Sequence, residues 1–434
     1  MKIAFIIRRQ SNYRLLGPVI DCALEAGLHA ECWPDYSCPT TGTKKYLFPS
    51  ADATPSFQHG RPLIRTYAGP GELAPRLACV DVDAVVSVSP LDMDTAGAAL
   101  SRRPSSVMLQ SGPDTFHYAS TLLESCDVLA LHSPWWLDWG MTHRGLVEDV
   151  DDLPALRSRI EPRCRYVGYP EVEAVRLVDR EAVRRRWGIP ADQPVVVLLP
   201  FPQGVGRQSF WPKSIFAEAS RSRRLFNVLR HGQIGYLGAA WRPENDVDVA
   251  RALRAFCHRN GAFLLVKSRE KTPIPEYLRV VADRCIYDEG FYPPTIVEAL
   301  SIASFCVSYY SLGILEATAL GVPHLCIAFR PEDYLDPRAT SAETTYFDTF
   351  FNRSPGGLFE FENVTRTMSP TEAIATLPGR TLDDFAIDPA IRREYLHKFF
   401  GYSDGRSAVR AVDAIRAAAE ERRQDRGKRV GTSA

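Results

Sequence analysis

Residues Ser308–Ile327, SYYSLGILEATALGVPHLCI, decide how the rest of the chain is read. The residues just before, Ala303–Val307, read as a buried strand. Ser311 opens a helix through Leu320, Gly321 supplies a left-handed stop, and Pro323 forbids continuation. A second short strand, Leu325–Ala328, follows. The stretch is therefore a strand–helix–strand unit whose helix starts at the carboxyl edge of a sheet. Parallel open sheets receive anions at that edge, where unpaired N–H groups and the positive end of the helix dipole converge. An ordinary capped core helix accounts for the same letters, and the stretch alone leaves both readings open.

Outward from this unit the pattern repeats. In the first half, strands are expected at Ile3–Ile7, Ala84–Val88, Ser106–Gln110 and Val128–His132. A helix at Pro18–Ala26 ends on Gly27, and 37–60 is a loop excursion. Such alternation argues for parallel βαβ units. Near Arg165 the pattern resets: RYVGYP is a short strand and turn, a basic helix follows at Arg180–Trp187, and a fresh strand begins at Val195. Strands at Phe263–Lys267 and Cys285–Tyr287 lead back to the opening unit, and a last helix spans Ser407–Arg423. The expected fold is α/β, with two Rossmann-like domains facing across a cleft, the GT-B arrangement. The expected organisation is an acceptor-side domain at 1–168 and a nucleotide-donor domain at 169–400. A C-terminal helix at 401–423 and a disordered tail at 424–434 complete it.

Bulk properties narrow the function. At 434 residues the length suits about two to three domains. The 45% hydrophobic and 24% charged fractions are those of a globular protein. Fifty-two basic residues balance fifty-two acidic ones, which argues against generalised nucleic-acid binding. The ten cysteines show no Cys-x-x-Cys and no histidine at zinc-like spacing, so free thiols in a reducing cytosol are expected. KIAFII before Arg8 and Arg9 is too short for a signal peptide and reads as a strand. The apolar stretch 301–329 is broken by Glu316, Gly321 and Pro323, so it does not read as a membrane span. A cytoplasmic chain, at most peripheral to a membrane, is expected.

Four motifs then carry a resemblance. VGYP (Val167–Pro170), YYSLGILEATALGVP (Tyr309–Pro323), EDYLDPR (Glu332–Arg338) and YSDGRSAVRAVDAI (Tyr402–Ile415) stand in the order seen in CDP-glycerol glycerophosphotransferases, builders of teichoic acids and capsule-like polymers. The similarity covers roughly residues 105–415. It implies a GT-B transferase with a phosphorylated nucleotide donor. The departures are informative. The family's acceptor-side His-Gly-Thr falls on Ser111-Gly112-Pro113, and its donor-side His-Pro falls near Lys267-Ser268-Arg269, both without histidine. Its Asp-Tyr-Ser-Ser becomes Tyr309-Tyr310-Ser311-Leu312. The fold and a phosphorylated donor carry over better than glycerol phosphate chemistry, and a transferred sugar fits as well.

Such a transfer needs stabilised charge on the departing phosphates and removal of a proton from the acceptor hydroxyl. No Asp-x-Asp metal site is visible, and no cofactor is expected. Ser311 and Gly313 offer a hydroxyl and a close backbone approach to phosphate. Lys267 and Arg269 offer a point charge and a bidentate fork, or else line a solvated loop. Glu316 suits the ribose hydroxyls or, equally, the helix dipole. Tyr310 suits stacking on the donor or a place in the core. Glu298, in the capping box TIVE, reads as structural. For the general base the loop SGPDTFH supplies Asp114 and His117, although Asp114 reads equally well as a helix cap. His132 ranks below them, and His324 reads as a core residue.

A basic, aromatic excursion, from Arg207 to His231, suits an anionic membrane surface or a lipid-pyrophosphate acceptor, or a solvated helix. The leading expectation is a transferase moving a glycosyl or polyol-phosphate group from a CDP- or UDP-linked donor to a glycan, polyol-phosphate or lipid-linked acceptor. A non-hydrolysing UDP-sugar 2-epimerase and a non-catalytic binding relative are the alternatives.

Overall fold

The run VVVLL at Val195–Leu199 is apolar at every position because both of its faces are covered. Val196 and Leu198 pack with Phe256, Leu264 and Phe305 on one side. Val195, Val197 and Leu199 pack with Trp187, Leu300 and Ala317 on the other. A computed structural model describes residues 1–9, 11–37, 55–91, 103–112, 115–116, 118–142, 150–200, 246–268, 274, 276–286, 292–309, 311–328 and 355–431. It divides into two units. The first comprises Met1–Leu177, Gly290–Pro294 and Leu396–Ala434; the second comprises Val178–Glu289 and Thr295–Tyr395.

The first unit is a sheet of β1 (Lys2–Ile7), β2 (His29–Pro34), β3 (Leu63–Ile64), β4 (Ala84–Ser87), β5 (Ser105–Leu109), β6 (Val128–Leu131) and β7 (Cys164–Tyr166) in the order β3-β2-β1-β4-β5-β6-β7. The second holds β8 (Val195–Leu199), β9 (Phe263–Lys267), β10 (Arg284–Ile286), β11 (Phe305–Ser308), β12 (His324–Ile327) and β13 (Thr365–Met368) in the order β10-β9-β8-β11-β12-β13. Every pair of these strands runs parallel. In each unit the order reverses beside its first strand, which is the doubly wound α/β pattern.

Several expectations shift. The first helix is Asn12–Glu25 and carries Pro18 inside it, because Leu15, Leu16, Val19 and Ile20 form one buried stripe against β1. The terminal helix runs Ser407–Gly431. Arg423 pairs with Asp83 at 2.8 Å, which extends the helix past its apolar part. That helix was set apart in the sequence, yet Ala408, Ala411, Val412, Ile415 and Ala418 lie in the first unit's core with Phe5, Val86 and Val107.

Candidate functional site

In the second unit the order reverses between β8 and β11, and the turn after β11 lies there. Gly313 opens a helix that runs Gly313–Ala319, two residues later than the sequence predicts. Ser311 lies just before it, its Oγ accepting the Gly313 N–H at 3.2 Å. A Cβ on Gly313 would sit 2.6 Å from Leu199 Cδ1, so the missing side chain lets the turn settle onto the end of β8. The far end of this helix is held too. Arg392 donates through Nε to the Thr318 carbonyl at 2.7 Å and through Nη2 to that of Ala319 at 2.5 Å. Gly321 takes φ 75°, the left-handed stop that the sequence indicates.

Lys267 ends β9 beside β8 and is buried, its Nζ donating to the Ser268 carbonyl at 2.6 Å. Glu316 has no exposed surface. Its charge contributes to raising the Cys306 thiol and the Tyr395 hydroxyl above their ordinary values, burial being the larger cause in both. A ligand reaching Glu316 therefore has to displace its cover. Beneath the turn, Ser308 Oγ and His324 Nε2 lie 2.8 Å apart, both buried. Burial holds the His324 imidazole down to about 3, so it is neutral across the physiological range. Ser311, Gly313 and Lys267 are thus gathered at ends of β11 and β9 on either side of β8. Arg269 and Tyr310 lie outside the described residues.

Asp114 and His117 of the first unit also lie outside the described residues, as does the basic run from 207 to 231 of the second. The ends of the Asp114 loop are anchored: Gln110 Nε2 donates to the Gly112 carbonyl at 3.4 Å, and Phe116 is buried. His132 is 1% exposed, its Nε2 lies 3.1 Å from the Gln110 carbonyl, and burial lowers its pKa to about 3. An imidazole so weakly basic and so enclosed is a poor proton acceptor, and it serves packing against Tyr169 and Trp136 instead.

Two of the recognised motifs meet, which sequence reasoning missed. Gly168 of VGYP takes φ 93°, and a Cβ there would meet Ser407 Oγ at 2.3 Å. Glu173 accepts the backbone N–H groups of Ser407 and, at 3.2 Å, Ala408. Asp404, just before, pairs with Arg410. VGYP and SDGRSA are therefore the socket and the first turn of the terminal helix. The acidic Glu173 three residues after Pro170 was the available signal. Among the described residues no His, Cys, Asp and Glu cluster suited to a metal occurs, and no helix is long and apolar enough to cross a membrane.

No protein-family profile matches the chain, and no curated protein sequence matches it. Solved structures do. The wall teichoic acid polymerase TagF superposes with a TM-score of 0.54 at 10% identity, over 97% of this chain and 89% of that one. The UDP-GlcNAc 2-epimerase from Neisseria meningitidis bound to UDP-GlcNAc gives 0.50 at 10% identity, over 96% and 99%. At such identities the likeness carries the fold alone: two parallel-sheet α/β units of the GT-B class.

Proposed function

We propose that the chain is a GT-B-type transferase that moves a glycosyl or polyol-phosphate group from a CDP- or UDP-linked donor to a surface-polymer acceptor, whether glycan, polyol-phosphate or lipid-linked. The observation that supports this most is the turn Ser311–Gly313 resting on Leu199 at the strand reversal of the second unit. Open α/β sheets take ligands at that place.

In this reading the Ser311 hydroxyl, the Gly313 N–H, Lys267 and Arg269 receive the departing phosphate charge, Tyr310 stacks on the donor, and Glu316 takes the ribose hydroxyls. Asp114 or His117 takes the acceptor proton. The acceptor oxygen forms one bond as the donor breaks one. Attack at a sugar carbon releases the nucleoside diphosphate, and attack at the distal phosphorus releases the monophosphate. The released nucleotide therefore identifies the transferred group.

Purified protein incubated with CDP-glycerol and with UDP-sugars, with and without a polyol-phosphate or glycan acceptor, tests the proposal. Nucleotide release that requires acceptor is the expected result. Epimer formation without release marks the isomerase reading, and binding without turnover marks the binding relative. Ser311→Ala frees the Gly313 N–H from its local acceptor and removes a donor hydroxyl. It should weaken donor binding by about 1 kcal/mol or more. Unchanged donor affinity in both Ser311→Ala and Lys267→Gln rejects this placement of the donor.

A further inference from the structure

A groove in the second unit lies apart from the turn at Ser311. It runs beside β10, the outermost strand of that sheet, and the helix Glu276–Val281 that leads into it. β9 and β8 stand between β10 and β11, so the groove is not the place proposed for the donor. Its volume is about 540 Å³, and it is lined by Ile274, Arg279, Ala282, Asp283, Arg284 and Cys285. Small-molecule sites occupy about 300–1,000 Å³.

The charges in that lining do not cancel. Arg279 is exposed, and its one hydrogen bond among the described residues is from Nε to the Ile274 carbonyl at 3.1 Å. Arg284 is exposed and makes no hydrogen bond or ion pair among the described residues. Asp283 is the one carboxylate in the lining, and it is engaged elsewhere. Its Oδ2 accepts Arg254 Nη1 at 2.6 Å and the Leu264 N–H at 2.7 Å. Burial pushes the Cys285 thiol up, although Arg279 pulls the other way, so the sulfur stays neutral and adds no negative charge. Ile274 is buried, and Ala282 and Cys285 are half-buried against the same core cluster. What remains is a pair of guanidinium groups with open N–H donors beside a small apolar floor.

We propose that this groove is a second ligand site, for an organic phosphate monoester whose oxygens meet Arg279 and Arg284 and whose body lies on Ile274, Ala282 and Cys285. Two forks offer more donors than the two oxygens of a carboxylate take up, whereas a phosphate presents three. A neutral ligand gains little from two cations, and an inorganic ion leaves the apolar floor uncovered. The site rests on no part of the transferase reading. Binding there is measured without turnover.

Titration calorimetry of the full chain with phenyl phosphate, benzyl alcohol and inorganic phosphate tests it. Saturable binding of phenyl phosphate is expected, with the other two at least about fivefold weaker. Arg279→Gln and Arg284→Gln should each weaken phenyl phosphate at least about fivefold. Circular dichroism checks that each variant is folded; if Arg279→Gln is not, Arg284→Gln decides, since that side chain is exposed and bonds nothing described. Three results overturn the proposal: no binding of phenyl phosphate, equal binding of either comparison compound, or unchanged affinity in the folded variants. Loss through Lys267→Gln with none through the arginine variants also overturns it, since the phosphate then sits at the end of β9. Failure of acceptor-dependent nucleotide release, with these affinities intact, defeats the transferase reading and leaves the groove site standing.

Discussion

Gly17 shows how a single missing side chain is set by what it touches. It lies in the middle of the helix Asn12–Glu25, where alanine is ordinarily better by about 1 kcal/mol. A Cβ there would fall 2.5 Å from Tyr292 Cδ2 and 2.9 Å from Cε2. The Tyr292 ring cannot simply swing aside, because its hydroxyl donates to the buried Asp21 at 3.2 Å and the ring packs on Phe57. Gly17→Ala is therefore expected to lower stability by about 1–3 kcal/mol, as overpacking does, despite its helix propensity. Urea unfolding measures it, and a stabilised variant would refute the contact. Gly313 differs in kind. Its neighbour is the tip of Leu199, which can turn, so Gly313→Ala should cost less than Gly17→Ala in the same measurement.

At the scale of elements, the terminal helix depends on one carboxylate. Glu173 meets the N–H groups of Ser407 and Ala408, two of the donors that a helix start leaves unpaired. Its pKa is raised, chiefly by burial, while those N–H bonds pull the other way. Glu173→Ala should cost about 1–2 kcal/mol, the loss of a cap plus donors left unpaired. Hydrogen exchange at Ser407 and Ala408 should quicken in the variant, and unchanged protection there would count against the cap. The helix Gly313–Ala319 is braced at its opposite end, by the Arg392 fork on its last carbonyls.

For the whole molecule, chain closure and pH are the two levers. Because Ala411, Val412 and Ile415 complete the core over β1 and β4, deleting 407–434 should abolish protection of residues 1–177 in limited proteolysis. Wild-type protection after the deletion would show the helix to be dispensable. Among the described residues each unit also holds one buried histidine whose pKa burial lowers from 6.5 to about 3, His132 in the first and His324 in the second. Above about pH 6.5 both are neutral folded and unfolded and add no pH dependence. Below it the unfolded chain binds protons that the folded one refuses, so stability falls down to about pH 3, by about 1.4 kcal/mol per unit per histidine. His132→Gln and His324→Gln should each flatten the fall in melting temperature between pH 6.5 and pH 4. A slope equal to wild type would refute the assignment.

The sequence by itself determined the alternation of strands and helices, the reset before Val195 and the stop at Gly321. Those signals are local: apolar runs, a glycine at φ 75° and a following proline. It did not reveal β2, HAECWP, or β13, TRTM, whose polar letters hide their pairing with β1 and β12. Of the proposed site, Ser311, Gly313 and Lys267 were legible as strand-edge residues because each follows or ends a readable strand. The tertiary structure alone decided that Glu316 is enclosed, that Gly313 answers to Leu199, and that Arg8 reaches Ser89 across 81 residues. It alone brought Glu173 to Ser407 across 234. Burial and contact arise between segments far apart in the chain, and no local period encodes which distant side chain arrives.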